Sequence, residues 1–419
     1  MDVDTGTTAF MLCCIIGLTL MIPGLALFYG GMVSVKSSTN MMMMTFGACA
    51  LVGVLWVLFG FSMTFGTSYG GFLGSITEFA GMKDLLKPDT TISGLPVTLF
   101  ALFQALFAAI TVALISGAAA DRMKFSAWMV FAGVWAVLVY FPVAHWVFAF
   151  DGVVTENSVG GWIANKLHAI DFAGGTAVHI NAGAAALAVA IVLGKSAGWG
   201  KLRKPHNVPL TLLGAGLLWA GWYAFNGGSA LAAGNSAAIV MVTTFVATCA
   251  ATLAWLAVEK FKDGHVTGVG AASGAVAGLV AITPACGAVT PFGSIFLGLI
   301  AGAICPLAVG LKSRFGYDDS LDVVGVHLVG GVIGTLLIGF FASASMPNKS
   351  DGVFYGGGFD QLWKQAIAAG AVMAYSFVVA YIIAFVIKKT MGIRISTDEE
   401  EKGIDAKFHR DAAYELQPA

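Results

Sequence analysis

Two histidines lie inside apolar, membrane-length stretches of this chain, each at the same distance behind an acidic residue. One stretch is Asp171-Phe-Ala-Gly-Gly-Thr-Ala-Val-His179 and the other is Asp319-Ser-Leu-Asp-Val-Val-Gly-Val-His327. Both read D-x7-H, and both run on into small and apolar residues. An ionisable residue at membrane depth is costly and usually faces a polar pathway or a partner. A neutral imidazole carries one donor and one acceptor. Two of them side by side in a narrow pore would pass a proton or hold a small hydrogen-bonding solute. The competing chemistry is zinc, which wants three or four ligands, and no third His, Cys or carboxylate stands in a matching context. The plainer alternative is two unrelated histidines, each satisfied by a backbone carbonyl.

Histidines so placed need a membrane-embedded frame, and the composition supplies one. The 419-residue chain is 58% hydrophobic and 11% charged, with 54 glycines. Its mean hydropathy is +0.84. Soluble domains carry roughly 25% charged residues, so the chain reads as an all-α polytopic membrane protein. Glycine suits helices whose backbones approach closely. A net charge of -1 excludes a strongly basic nucleic-acid binder. The six cysteines all lie in apolar runs and read as packed free thiols. Met1-Asp2-Val3-Asp4 lacks the basic region of a signal peptide, so the first helix is expected to be retained. Nothing in the chain calls for a cofactor.

A helix needs about 20 apolar residues to cross a bilayer. That ruler gives eleven spans, near 8–30, 41–66, 97–117, 126–148, 171–194, 208–226, 236–259, 267–284, 288–311, 323–344 and 363–388. The eighth and ninth are separated only by the Pro-Ala-Cys-Gly turn at 284–287. With the N-terminus outside, 17 of the 22 Lys and Arg residues fall on the cytosolic side, against Lys83, Lys87, Lys166, Lys349 and Lys364 outside. This bias predicts an N-out, C-in topology. Eleven divides as five, five and one. Because five is odd, a second five-helix unit inserts upside down, and the D-x7-H segments fall on the fifth and tenth spans as an inverted repeat requires. Repeat one then covers about 8–194, repeat two about 208–344, and the eleventh helix about 363–388. Residues 389–419 form a charged cytosolic tail, either a solvated end or a docking element.

Around the histidines, Asp171 reads either as an N-cap or as a carboxylate that attracts a cation, and Asp319 and Asp322 share that ambiguity on the other side. Phe103 and Phe107, Trp146 and Phe148, and Trp222 and Phe225 recur beside path-lining spans. Aromatic faces attract cations and gate pores by dewetting, although 30 Phe residues guarantee coincidences. Ser229 follows Phe225-Asn226-Gly227-Gly228, where its hydroxyl could accept from a cation.

These blocks resemble the Amt/Mep/Rh ammonium transporters, and the bacterial Amt branch in particular. The resemblance rests on Phe103-Gln-Ala-Leu-Phe107-Ala, the Asp171–Asn181 block, Lys204-Pro-His-Asn207, Gly221-Trp-Tyr-Ala-Phe225-Asn-Gly-Gly-Ser229, Thr283-Pro-Ala-Cys-Gly287 and Asp322-Val-Val-Gly-Val-His327. It runs from about residue 8 into the tail. It implies an outer ammonium-recruitment site at Phe107 and Ser229, supported by Asp171. It implies a phenyl gate of Phe107 and Phe225 below that site, then a twin-histidine pore of His179 and His327, with Trp222 and Thr283 around the pathway. It further implies a homotrimer with one pore per subunit, in the inner (plasma) membrane. Its tail packs on the cytoplasmic face, and many members are closed there by a PII-type signalling protein.

One departure stands out. The family usually has Trp after Ala-His-x-x, and here Ala144-His145-Trp146-Val147 is followed by Phe148. Phenylalanine keeps an aromatic face but loses area and the indole N–H, which puts the affinity of the outer site in question. Trp146, two residues away on a helix, is expected to point elsewhere. The function implied is transport of ammonium or methylammonium. The rivals are an ammonium sensor with minor transport, an Rh-like electroneutral gas channel, and a membrane enzyme using the histidines as a redox or haem site. A sensor would be favoured by a long fused signalling domain, and a haem site by further ligands.

Overall fold

The computed structural model describes residues 2–87, 90–200 and 204–414. Lys201 and Arg203, counted above among the basic residues of an inner loop, lie outside the described residues. Among the described residues, ten helices are long and apolar enough to cross a membrane. In chain order, with α8 left for separate treatment, they are α1 Thr5–Met32, α2 Val35–Phe65, α3 Val97–Ala119, α4 Phe125–Phe148, α5 Gly175–Leu193, α6 Val208–Gly228, α7 Asn235–Asp263, α9 Pro291–Phe315, α10 Val324–Phe341 and α11 Asp360–Thr390. Each falls within a few residues of an expected span.

The eighth span, expected over 267–284, is instead a 15-residue helix, α8 Gly268–Ile282. At about 1.5 Å per residue it spans roughly 22 Å, short of the ~30 Å hydrocarbon core. The chain turns at 283–287, where Pro284 cannot donate to a continuing helix. That irregular backbone is fully buried and paired: Phe172 N–H donates to Pro284 O at 3.1 Å, Ser343 N–H to Ala288 O at 3.0 Å and Asn348 N–H to Gly287 O at 3.0 Å. Non-helical backbone is tolerated at membrane depth only where protein satisfies it in this way.

The packing has a five-helix rhythm. α2 packs on α1, α3 and α4, and α3 on α1 and α5. Likewise α7 packs on α6, α8 and α9, and α8 on α6 and α10. The two sets meet where α1 runs along α6, and again where α5 crosses α10. At the second crossing, a Cβ on Gly183 would sit 2.5 Å from Leu328 N, and one on Gly331 would sit 3.1 Å from Ile180 Cγ1. Each glycine lies four residues after a histidine, and each meets the residue that follows the other histidine. The H-x3-G spacing thus lets the two histidine-bearing turns come together.

A short helix, α12 Thr397–Lys402, opens with a capping box made by Ser396 and Glu399. Two small hairpins, 68–69 with 73–74 and 91–92 with 95–96, lie in the α2–α3 connection.

Candidate functional site

Both histidines sit on π-helical turns, Gly175–Ile180 and Val324–Leu328, at the head of their helices. Such turns recur at functional positions. The acidic residue of each D-x7-H segment anchors its turn: Asp171 Oδ2 accepts from Thr176 N–H at 2.8 Å, and Asp319 Oδ2 from Val324 N–H at 2.7 Å. The capping reading therefore holds for both, five residues ahead of the carboxylate in each case. Gly174, at φ 117°, makes the bend into the first turn, a conformation glycine adopts without strain. Gly174 and Gly175 N–H also bond Asp171 Oδ1, at 2.7 and 2.6 Å. The Thr176 hydroxyl and Ala177 N–H complete the shell. Burial pushes the Asp171 carboxyl up from its ordinary value, and these donated bonds pull against it.

The turns bring His179 Nδ1 to 3.2 Å from His327 Nδ1, with ring centroids 5.3 Å apart and planes at 25°. Two Nδ1 atoms can share only one proton. When both rings are neutral, they must be opposite tautomers. The pair then presents one Nε2–H donor and one bare Nε2 acceptor, which suits a small solute that both donates and accepts. His179 Nε2 has no protein partner among the described residues. Beside the rings lies a narrow cavity lined by Met21, Leu25, Ile110, Leu114, Trp222 and Phe225. Among the described residues no three His, Cys, Asp or Glu side chains gather to hold a metal.

Above the dyad, toward Ser229, Phe225 and Phe107 stack at 4.0 Å and 18°. Both are 1% exposed. Phe148 sets its ring edge-on to Phe107 at 6.3 Å and 87°. Ser229 Oγ donates to Phe225 O at 2.8 Å, which leaves its lone pairs free to accept. Trp222 stacks on His179 at 5.5 Å and 18°, and its Nε1–H is held by Thr283 Oγ1 at 2.8 Å. Trp146 sends its indole N–H to Phe72 O at 2.7 Å and packs on Trp162 and Tyr375, away from Phe107. The structure therefore joins Phe148, Phe107, Phe225, His179 and His327 through successive ring contacts, with Trp222 on His179, Thr283 bonded to Trp222, Ser229 bonded to Phe225 O and Asp171 anchoring the turn that carries His179.

The tail's acidic residues have partners both in the tail and beyond it. Glu399 pairs with Lys407, and Glu400 with Arg394 at 2.7 Å, both within the tail. Glu400 also accepts from Ala197 N–H at 2.9 Å. The main dock is the buried Asp405, whose carboxylate takes Thr39 and Asn40 N–H at 2.9 and 2.8 Å and so caps a turn near the start of α2. Ile404 N–H adds a bond to Lys36 O at 3.0 Å.

Several supporting residues escaped the sequence reading. Gln365 of α11 bonds both N–H and C=O of Ile170, fixing the segment that carries Asp171. A lone Gln inside an apolar span was the available signal. Arg122, fully buried, bonds Asp318 Oδ2 at 3.2 Å and the carbonyls of Gly194, Ala118 and Asp318. His145, a third histidine at membrane depth, is locally satisfied by Thr64 O at 2.6 Å and Ser68 Oγ at 2.8 Å.

A family model described as the Ammonium Transporter Family matches residues 9–414. An ammonium transporter of Mycobacterium tuberculosis is 53% identical over 438 residues, covering 99% of this chain and 91% of that protein. One from Bacillus subtilis is 43% identical, covering 98% of each. Among solved structures, Candida albicans Mep2 aligns with a TM-score of 0.86 at 34% identity, over 95% of this chain and 88% of that one. A structure described as a sensor Amt protein aligns with a TM-score of 0.87 at 28% identity, over 97% and 98%.

Proposed function

The chain belongs to the Ammonium Transporter Family, a multi-pass membrane protein of transport rather than enzymatic chemistry, and on that premise we propose how it moves ammonium. Ammonium is recruited at a mouth of Phe107, Phe148 and Ser229, where π faces and a hydroxyl replace part of its water. Asp171 supports that mouth by fixing the segment beneath it. The cation loses its proton before the gate, and neutral ammonia passes Phe107 and Phe225. The histidine pair then hydrogen-bonds ammonia, while the proton travels separately. The observation that carries this reading is the 3.2 Å Nδ1–Nδ1 contact directly beneath a buried, stacked phenyl pair.

The proposed frame is eleven spans, N-out and C-in, as a 5+5 inverted repeat with α11 as a brace and residues 389–419 as a regulatory tail. The matched packing of α1–α5 and α6–α10 and the reciprocal Gly183 and Gly331 contacts support it. The short α8 takes the eighth position, its end satisfied by the buried turn. A homotrimer in the inner membrane, with a PII-type partner on the tail face, completes the proposal by family likeness.

The test is current recording from proteoliposomes during ammonium and methylammonium jumps. Charge movement on the jump supports the reading. Ammonia flux without current would favour the electroneutral channel, and saturable binding with neither would favour the sensor that the structural neighbour's description suggests.

A further inference from the structure

Asp319 is 1% exposed, yet only one of its carboxylate oxygens is engaged. Oδ2 takes Val324 N–H, while Oδ1 is buried without a protein partner among the described residues. Its neighbours do not fill that gap. The ammonium of Lys312 is paired with Asp322 and bonded to the backbone O of Asp319 at 3.1 Å. The guanidinium of Arg122 is committed to Asp318 and to carbonyls. Tyr317 lies beside the cluster on the chain. Tyr29 donates its hydroxyl to Leu114 O at 3.1 Å. Leu114 in turn lines the histidine cavity. Lys312 and Asp322 have side chains 25% and 32% exposed. Asp319 thus sits beside the partly exposed Lys312–Asp322 pair, and His327, eight residues further on, borders the cavity.

We propose that Asp319 Oδ1 is the inner proton-holding site of the transport cycle, a general acid that re-forms ammonium as ammonia leaves the histidine pair. The proposal rests on the reading above, in which ammonia and its proton travel apart. In the step, the Asp319 O–H bond breaks and an N–H bond forms, giving ammonium and the Asp319 carboxylate. The proton released at the mouth then restores the acid, so one proton crosses per ammonia. Burial, with the charge of Asp322, pushes the Asp319 carboxyl up to about 6, against the pull of Lys312 and Val324 N–H. An ordinary carboxyl near 3.9 would be a poor donor at neutral pH. Asp171 cannot serve in the same way, because both its oxygens are saturated.

The test uses full-length protein in proteoliposomes, with ammonium-jump currents and ammonia-driven lumenal alkalinisation both recorded. The pH on the tail side is varied between about 5 and 8. Wild-type current is expected to fall as that pH drops through about 6, because Asp319 is then protonated from the tail side. Asp319→Asn keeps an acceptor for Val324 N–H. It should lower the current about a hundredfold, the low end for a positioned general acid, remove the inflection and leave ammonia flux in place. Asp322→Asn removes a like charge and should move the wild-type inflection down by about one pH unit. Wild-type current without an inflection, an unaltered Asp319→Asn profile, or joint loss of current and ammonia flux would each overturn the proposal. Should Asp319→Asn not insert, an unmoved inflection in Asp322→Asn overturns it instead. Absence of any wild-type current would defeat the transport reading itself, a separate outcome.

Discussion

Asp171 and Asp319 occupy the same position in two copies of one motif, and their surroundings differ in the property that decides their chemistry. Both hold a π-helical turn through an N–H five residues on. Around Asp171 the Gly-Gly-Thr sequence lets three backbone N–H groups and a hydroxyl crowd in, and Ala177 N–H makes a fifth donor. Around Asp319 the corresponding residues are Asp322, Val323 and Val324. Asp322 turns away at φ 63° to meet Lys312, and no hydroxyl reaches back. A carboxylate whose two oxygens take five donors is a strut. One with a bare buried oxygen can take and release a proton. The two motifs share the backbone role and differ in the donors around the carboxylate.

The largest effects should test the shared part of the comparison. His179→Ala and His327→Ala are each expected to lower charge movement by about a hundredfold or more, since either change removes the Nδ1–Nδ1 contact. Proteoliposome currents check this, and near-wild-type rate and selectivity in both variants would defeat the pore assignment. The unshared part is tested by Asp171→Asn against Asp319→Asn. An amide at 171 turns an NH2 toward N–H donors. Each orphaned donor costs about 1–3 kcal/mol, so a loss on the order of 3 kcal/mol is expected. At 319 the loss should stay within about 1 kcal/mol. Thermal unfolding in detergent near neutral pH measures both, and equal losses would erase the distinction. The sign of the pH effect follows from the raised carboxyl. Asp319 contributes stability fully below its unfolded pKa, and that contribution is lost as pH rises through about 6. Wild type should therefore melt higher at the acid end of that range, and Asp319→Asn should flatten the difference.

Much of this was legible in the sequence because membranes constrain it. The ~20-residue ruler found ten of the spans, and D-x7-H found both histidines. Length failed at α8, where Pro284 ends the helix early and only the tertiary bonds of residues 284–288 make that tolerable. The difference between Asp171 and Asp319 was not legible. It depends on which way Asp322 points, and Lys312 of another helix decides that. The tail was half legible: its charges were visible, but the dock rests on a buried carboxylate over backbone N–H groups and on backbone bonds, which charge counting cannot find.

A smaller effect concerns the mouth. Phe148 meets Phe107 edge-on at the Ser229 end of the passage. Phe148→Trp offers a larger, more electron-rich face, worth up to about 1 kcal/mol where the site is partly desolvated. The half-saturation concentration for ammonium or methylammonium should fall accordingly. An unchanged or higher value would mean that residue 148 does not face the cation. Because this change lies on the Asp171 side, it should leave the tail-side pH inflection where it is. A shift there would blur the line between a binding half and a proton-handling half.

The smallest effect on the fold is expected from the tail, which covers the Asp319 side alone. The eleven helices bury their own faces, so truncation after Lys389 should leave an inserted protein with altered flux or partner response. Two kinds of interaction order the tail. Exposed pairs such as Lys402–Asp398, within the tail helix, are worth about 0–1 kcal/mol and are screened by salt. The Asp405 dock is buried, and its hydrogen bonds to a charged group are worth about 1.5–3 kcal/mol each. Hence Asp405→Ala should undock the tail where about 0.5 M salt, with a Debye length between about 3 and 10 Å, does not. Protease accessibility of residues 396–410 reads this out. The Lys407 bond holds Glu399 down to about 2, so its contribution is lost only as pH falls through that value. An inflection near pH 6 that survives truncation therefore belongs to the pore's own carboxylate, whereas one that vanishes with the tail would move proton handling from Asp319 to the latch.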